Sequence, residues 1–364
     1  MIGEMPKLNI GELEADLPIV QGGMGVKVSG IKLASSVAKE GGIGIIATPD
    51  IGANEPDYFQ NQTAANERAL RKVIRGAREL TDGLLGVNIM KVLTDYVVLA
   101  KTAIEEGINF IFCGAGLAFD LPEFLSKDSK TKLVPIVSSG RAAVVFVKKW
   151  FNKYGYIPDA FVVEGPRACG HLGFRPEQLD DPRYALENLV VETIELLKPF
   201  KKNGAPIPVI AAGGIYTGAD IRKFINLGAA GVQMATRFVT TFECDVADEF
   251  KQAYIDAREE DIVIIKSPVG MPGRAIRNKF LDDVSAGKRM PIKCPFHCLE
   301  SCDPQKAPYC ISLALINAQK GRMAGGFAFA GANAYRSEKI ISVHELIETL
   351  KFEYWEASME EGID

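Results

Sequence analysis

Short and almost unbroken runs of apolar residues recur between residues 18 and 234, and stretches with a helical spacing of apolar positions separate them. A run that is apolar at nearly every position is typical of a parallel strand buried on both faces, whereas a strand with one wet face alternates. We predict eight such strands, at Pro18–Gln21, Gly42–Ala47, Gly86–Met90, Asn109–Cys113, Val134–Val137, Ala160–Val163, Val209–Ala212 and Gly231–Met234.

The intervening stretches predict helices at Ile31–Glu40, Asn66–Leu80, Asp95–Glu106, Arg141–Tyr154, Ala185–Lys198 and Ala219–Leu227. Regular alternation of strand and helix indicates right-handed β-α-β units. Eight of these strands fit a closed α/β fold, the TIM (β/α)8 barrel. An open, doubly wound sheet is the alternative arrangement of the same elements.

The pattern changes after the eighth strand. A helix is predicted at Cys244–Arg258, a short apolar run follows at Ile262–Ile265, and further helices are predicted at Ile311–Lys320 and from Ser342 onwards. Between these lie a Pro/Gly-rich stretch, a cysteine-rich segment and a Gly-rich stretch at Gly321–Gly331. We therefore expect residues 1–258 to form the barrel and residues 259–364 to be an extension that packs on it, not an independent domain.

Composition and charge argue against a nucleic-acid-binding protein and against a membrane protein. The net charge of −4 argues against a nucleic-acid footprint. No apolar stretch approaches the roughly 18 residues that a membrane span needs, and Met1–Ile10 lacks the apolar core of a signal peptide. We expect a cytoplasmic protein that acts on a small molecule, with no nucleic-acid or membrane partner. The sequence does not decide between a monomer and a homodimer.

Glycine is concentrated directly after the predicted strands, at residues 22–25, 114–116, 165–173 and 213–214. The strand C-termini form the active face of a (β/α)8 barrel, and the loops after strands seven and eight are its usual phosphate site. Glycine lets backbone N–H groups reach a ligand directly, and the Thr236 hydroxyl adds a donor. The plainer interpretation is that these loops need glycine only for tight turns.

His171 is one of three histidines and falls within the predicted Gly-rich loop after strand six. A neutral imidazole can accept or donate a proton near pH 7, so His171 is a candidate acid–base residue. The alternative is an ordinary surface histidine.

Five motifs on this face carry a family resemblance: residues 21–24 (QGGM), 86–90 (GVNIM), 164–173 (EGPRACGHLG), 211–215 (AAGGI) and 231–238 (GVQMATRF). Together they resemble the nitronate monooxygenase family, formerly called 2-nitropropane dioxygenase. Flavin-dependent enoyl-acyl-carrier-protein reductase II is similar in most of them and in residues 274–278 (RAIRN). The resemblance implies a barrel, FMN as cofactor and oxidoreductase activity.

The resemblance also implies roles for individual residues. Gly22, Gly23 and Met24 would line the flavin ring, and Asn88 would hydrogen-bond it. Glu164 and Cys169 occupy flavin-contacting positions, and His171 matches the catalytic histidine. The residues expected to hold the ribityl phosphate are Gly213, Gly214, Gln233, Met234, Ala235 and Thr236. This chain departs from the family at two of these positions, since Cys169 and Ala235 both replace glycine; Ala235 is unstrained only if its φ is negative.

The resemblance favours oxidation of alkyl nitronates with oxygen. The alternatives are an NAD(P)H-dependent flavin reductase that acts on enoyl thioesters or quinones, and a flavin-binding barrel without turnover.

The chain has seven cysteines. This is an odd number and a low density for the length of the chain, so a disulfide scaffold is not expected. Four of them, Cys294, Cys298, Cys302 and Cys310, share one short segment with the spacing C-x3-C-x3-C-x7-C. Four thiolates suit zinc or an iron–sulfur cluster, but this spacing matches neither the common zinc pairs nor the usual ferredoxin runs. We therefore predict no metal site and expect ordinary reduced thiols.

Overall fold

The computed structural model describes residues 4–288, 294, 297–300 and 302–361. Parts of the N-terminal stretch and of the cysteine segment considered above lie outside these residues. Eight parallel strands form one sheet: β1 Ile19–Gln21, β2 Gly44–Ala47, β3 Leu85–Met90, β4 Phe110–Gly114, β5 Lys132–Val137, β6 Phe161–Glu164, β7 Val209–Ala212 and β8 Gly231–Met234. All eight overlap the predicted strands.

The described helices are α1 Ile31–Lys39, α2 Gln62–Leu80, α3 Tyr96–Glu105, α4 Gly140–Tyr154, α5 Leu186–Leu197, α6 Gly218–Asn226, α7 Thr236–Val239, α8 Asp248–Ile255, α9 Lys279–Ser285, α10 Ile311–Gln319 and α11 Val343–Glu361. Single 3-10 turns lie at Leu121–Phe124, Pro176–Gln178, Pro182–Tyr184, Glu259–Asp261, Met323–Gly325 and Ala334–Arg336. None of the described helices is both long and apolar enough to cross a membrane.

The sheet closes on itself. Each strand pairs with its sequence neighbour, and β8 pairs with β1 through Val232 and Ile19. The last gap is bridged where Val20 pairs with Ile43 just ahead of β2, and the Gln21 N–H donates to the Ile43 carbonyl at 2.9 Å. The (β/α)8 barrel prediction is therefore confirmed, and the open sheet is ruled out.

Alternate residues of each strand point to opposite sides of the sheet, so the barrel has two apolar layers. On β4, Phe110 and Phe112 pack inside the barrel, and Ile111 packs outside against the helices; all three are fully buried. Burying each phenylalanine contributes about 1.5–3 kcal/mol. A hairpin of Leu8–Ile10 and Leu13–Ala15 packs against the interior layer. This hairpin was not predicted.

The ends of the helices follow from local sequence. The Ser139 hydroxyl accepts a hydrogen bond from the Ala142 N–H at the start of α4, and Gly155 ends that helix with a φ of 65°. Thr217 and Asp220 form a reciprocal capping box at the start of α6. These caps satisfy backbone groups that a helix end leaves unpaired.

The segment after the barrel interlocks with it. Strand Pro272–Ile276 pairs with strand Ile262–Lys266 on one side and with strand Gly170–His171 on the other, which forms a three-stranded antiparallel sheet. The predicted helix at Cys244–Arg258 is shorter, as α8, and α9 was not predicted. A further small hairpin joins Lys201–Lys202 to Ala205–Pro206.

Candidate active site

One cavity of about 220 Å³ opens at the C-terminal ends of the barrel strands. We call it the barrel cavity. All the residues predicted for the site line it, namely Gly22, Gly23, Met24, Asn88, Glu164, Cys169, His171, Gly213, Gly214, Gln233, Met234, Ala235 and Thr236. The closed barrel brings them together because every strand delivers its last inward-facing residue to this face.

The loops after β7 and β8 present hydrogen-bond donors to the cavity. Gly213 and Gly214 have φ values of +101° and +87°, a region that favours glycine. Within the described ranges, the N–H groups of Gly214, Ala235 and Thr236 donate no hydrogen bond to the protein. Ala235 has a φ of −120°, so its departure from glycine causes no strain. These free donors, with the Thr236 hydroxyl, fit an anionic group such as a phosphate.

Another part of the cavity wall comes from the loop after β1 and from β3. A Cβ at Gly23 would lie 2.3 Å from the Cβ of Asn88. Only glycine therefore allows the backbone to approach β3 this closely, and Asn88 keeps its amide on the cavity surface. Met24 and Met90 add apolar surface to the same wall. A flat aromatic ring with polar edges is the kind of ligand that such a wall suits.

Buried Arg274 fixes the loop that follows β6. Its Nη1 donates to the carbonyls of Pro166 and Ala168, each at 2.8 Å. Arg274 belongs to the strand that pairs with Gly170 and His171. Two backbone hydrogen bonds and a strand ladder therefore determine where His171 lies.

His171 contacts two residues of the extension, one through a ring nitrogen and one through the face or edge of its ring. Its Nε2 lies 2.7 Å from the Ser267 Oγ, with either atom as donor according to the tautomer, and its ring packs edge-on against Phe329 at 4.9 Å between centroids. Burial lowers the pKa of His171 to about 4. The imidazole is therefore neutral at pH 7, and Nδ1, which has no partner among the described residues, is available to a ligand.

Burial also disfavours the charged forms of two further groups in the cavity. Burial raises the pKa of Glu164 to about 7. Burial, followed by the nearby Glu164 carboxylate, raises the pKa of Cys169 to about 12. The Cys169 thiol therefore stays protonated; it lies beside Tyr254, whose hydroxyl donates to the Phe329 carbonyl at 2.5 Å.

Sequence reasoning missed the part of the wall that the extension supplies. Asn333 Nδ2 donates to the Gly214 carbonyl at 2.7 Å, and a Cβ at Gly331 would lie 2.4 Å from the Thr236 Oγ1. Leu315, Phe329 and Asn333 line the cavity. The Gly-rich stretch at residues 321–331 was visible in the sequence, but the sequence did not show which part of the barrel it contacts.

The family model described as nitronate monooxygenase matches residues 8–353. This chain belongs to the nitronate monooxygenase family. The resemblance seen in the motifs is thereby confirmed.

Among solved structures, an enoyl reductase-like neighbour, FabK from Thermotoga maritima, is 28% identical, with a TM-score of 0.74 and coverage of 96% of both chains. A Mycobacterium tuberculosis dehydrogenase of a hydroxy-methyl-oxo-octahydroindene-carboxyl-CoA is 29% identical over 75% of this chain. That match spans 66% of the relative's length. A probable nitronate monooxygenase from Staphylococcus aureus is 26% identical over 75% of this chain and 79% of its own.

Proposed function

We propose that the protein is an FMN-dependent oxidoreductase whose reaction takes place in the barrel cavity. The observation that supports this most directly is the set of unpaired N–H groups at Gly214, Ala235 and Thr236, which line the same cavity as His171. One phosphate cradle suits a mononucleotide, and residues 41–44 (GGIG) lack the spacing of a dinucleotide-binding loop. When bound, FMN supplies the redox chemistry that amino-acid side chains cannot provide.

The favoured substrate class is an alkyl nitronate. A nitronate is an anion with an apolar tail, so it needs a hydrogen-bond donor on an otherwise apolar wall. His171 offers Nδ1 for this contact, and Met90, Ile136 and Phe329 provide apolar surface around it. Because His171 is neutral at pH 7, it binds the oxygen of the nitronate as a hydrogen-bond donor or accepts a proton from the neutral nitroalkane.

A second candidate is an NAD(P)H-dependent reductase of enoyl thioesters, and a basic groove of about 860 Å³ favours it. Lys91, Lys148, Lys149 and Lys153 line this groove. Met90, the neighbour of Lys91, lines the barrel cavity. Within the described residues, Lys148 and Lys149 have no ion-pair partner. Phosphates of a coenzyme A thioester or of a nicotinamide nucleotide would suit these cations.

One anaerobic experiment tests the proposal and separates the two candidates. The purified protein is mixed with a nitronate or with NAD(P)H, and bleaching of the flavin absorption is followed. We expect bleaching by the nitronate and oxygen consumption in air; bleaching by NAD(P)H with turnover of crotonyl-CoA would support the reductase instead. A coloured protein that neither compound bleaches would indicate a flavin-binding barrel without turnover.

The identity of the cofactor is checked separately by heat release and chromatography. FMN is expected. Finding FAD, or no flavin after reconstitution, would overturn the proposal.

The basic groove has its own test. If the protein is an enoyl-thioester reductase, the double variant Lys148→Glu/Lys149→Glu should have a roughly tenfold higher KM for crotonyl-CoA. Its KM for crotonyl-pantetheine, which lacks the nucleotide, should be unchanged. Lys198→Glu, at the residue that caps the C-terminus of α5, is the control for reversing the charge of an exposed lysine. Equal effects on the KM of both thioesters would show that the groove does not bind the nucleotide part of coenzyme A.

A further inference from the structure

The four cysteines of the extension converge on one small enclosed cavity, although their spacing fits no common metal motif. Cys294, Cys298, Cys302 and Cys310 all line a space of about 20 Å³, together with His297 and Tyr309. We call it the thiol cavity. All four are free thiols. Convergence of this kind is a property of the fold, and it does not depend on the proposed flavin chemistry.

All four thiols face the same space. A cationic group placed between them would favour the thiolates over the protonated thiols, because metal binding replaces the proton of each thiol.

The hydroxyl of Tyr309 is a second, independent observation that points to a ligand in the thiol cavity. Tyr309 is 3% exposed and lines the thiol cavity. Among the described residues, its hydroxyl is one of two buried side-chain oxygens that lack a hydrogen bond. Leaving a buried hydroxyl unsatisfied costs about 1–3 kcal/mol, so an acceptor in this cavity would remove a real penalty.

A single metal ion does not suit the cavity. Zinc needs each thiolate sulfur at about 2.3 Å from one centre. In the part of the chain that the structure describes, no three His, Cys, Asp or Glu side chains are placed to hold one ion. An iron–sulfur cluster binds each thiolate to a different iron, so its ligands lie farther apart, and its inorganic sulfides accept hydrogen bonds.

We propose that Cys294, Cys298, Cys302 and Cys310 ligate a four-iron, four-sulfide cluster in the thiol cavity, with Tyr309 donating a hydrogen bond to it. Assembly takes ferrous iron and sulfide. Four thiol protons are released as four bonds form between cysteine sulfur and iron.

The thiol cavity adjoins the barrel cavity. Thr94 N–H donates to the Cys298 carbonyl at 3.2 Å, and Leu93 pairs with Leu299. These contacts dock the cysteine segment on the loop that begins after Met90, which lines the barrel cavity. On the other side, the Cys298 Sγ lies 3.2 Å from the Ser312 Oγ at the start of α10, and Leu315 of the same helix lines the barrel cavity. The proposed cluster therefore lies beside the active face.

The test uses the full chain, purified without oxygen and, where iron is low, reconstituted with ferrous iron and sulfide. We expect about four iron and four acid-labile sulfide per chain, and a low-temperature paramagnetic signal after dithionite reduction that differs from a flavin radical. The variants Cys298→Ser and Cys302→Ser should lose most of the iron and sulfide. Cys302 is the less buried of the two, so it serves if Cys298→Ser does not fold.

Cys244→Ser is the matched control, because Cys244 lies outside the cavity and donates to the Val28 carbonyl, a bond that serine can keep. It should retain the iron and sulfide. One zinc per chain without sulfide would overturn the proposal, as would iron retained in both cluster variants. Absence of iron after reconstitution would show that the residues are ordinary reduced thiols.

Discussion

At the scale of single residues, burial disfavours the charged forms of three acid–base groups in the site. His171, Glu164 and Cys169 line one cavity, and burial shifts the pKa of each toward its uncharged form. A charged side chain in this cavity would compete with an anionic substrate for the same donors. At pH 7 His171 and Cys169 are uncharged, whereas Glu164, with a pKa of about 7, is only partly ionised.

His171→Ala tests the proposed role of the imidazole. We expect turnover to fall about 10²–10⁴-fold while flavin content stays near that of the parent, because the loss is of an acid–base or hydrogen-bonding group. Protonation of His171 should lower the activity of the parent only as the pH approaches 4, where the imidazole becomes charged; a change near pH 7 belongs to the titration of Glu164. His344→Ala, a change at an exposed histidine, is the control. Loss of flavin with unchanged activity per bound flavin would make His171 structural.

Glu164→Gln tests the pH dependence of stability. The pKa of Glu164 is about 7 in the folded protein against the ordinary value of 4.5, so between these values the folded state binds more protons than the unfolded state. Its contribution to stability is therefore greatest below pH 4.5 and is lost as pH rises to 7. The loss is at most about 3 kcal/mol. The gain in melting temperature of the flavin-free variant over the parent should be larger at pH 8 than at pH 5, whereas Glu177→Gln should show no such difference.

At the scale of elements, the Gly-rich loop after β6 is the part that the rest of the site depends on. It holds Glu164, Cys169 and His171, and Arg274 and the strand Pro272–Ile276 fasten it. A loop held by a neighbouring strand keeps its side chains at defined distances in the absence of ligand.

Arg274→Met tests this fastening. The variant leaves the carbonyls of Pro166 and Ala168 without their donor, and we expect a loss of about 2–4 kcal/mol in the free energy of unfolding, together with weaker flavin binding. Urea denaturation and flavin titration measure the two effects. Arg277→Met, three residues along at an exposed site paired with Asp282, is the control and should cost much less, because an exposed ion pair adds little to stability. Similar losses in both variants would contradict the role given to Arg274.

The sequence predicted the elements that carry their own pattern and missed those that depend on a distant partner. Phe110–Gly114 and Val209–Ala212 are apolar throughout, so each was visible as a strand. Gly170–His171 is two residues long and exists only because Gly273 and Arg274 pair with it. Ser267 and Asn333 were missed for the same reason, since a hydrogen bond between residues 96 or 119 positions apart leaves no local pattern.

At the scale of the whole molecule, the barrel and the extension share one site. Gly331, Asn333 and Phe329 complete a cavity whose other residues come from the barrel strands. Helix α11 packs on α6, where Glu353 accepts a hydrogen bond from the Gly218 N–H at 2.7 Å. The extension therefore covers both the active face and one side of the barrel.

Truncation after Arg258 tests the prediction that residues 259–364 are not an independent domain. The remaining barrel would expose the face of α6 and lose the partner of Gly170–His171. We expect a protein that unfolds without a cooperative transition and binds no flavin, measured by calorimetry and absorbance. A truncated chain that unfolds cooperatively and retains flavin would contradict this prediction.

The Asn333–Gly214 hydrogen bond has a consequence for biosynthesis. Chains fold from the N-terminus as they leave the ribosome, so all eight barrel strands emerge long before the residue that closes the cavity. A ribosome-bound chain that ends near residue 300 would have its strands but not Phe329, Gly331 or Asn333. Cofactor loading is therefore expected to wait until residue 333 has emerged from the ribosome, and stalled chains of increasing length should quench flavin fluorescence only after this residue has cleared the exit tunnel.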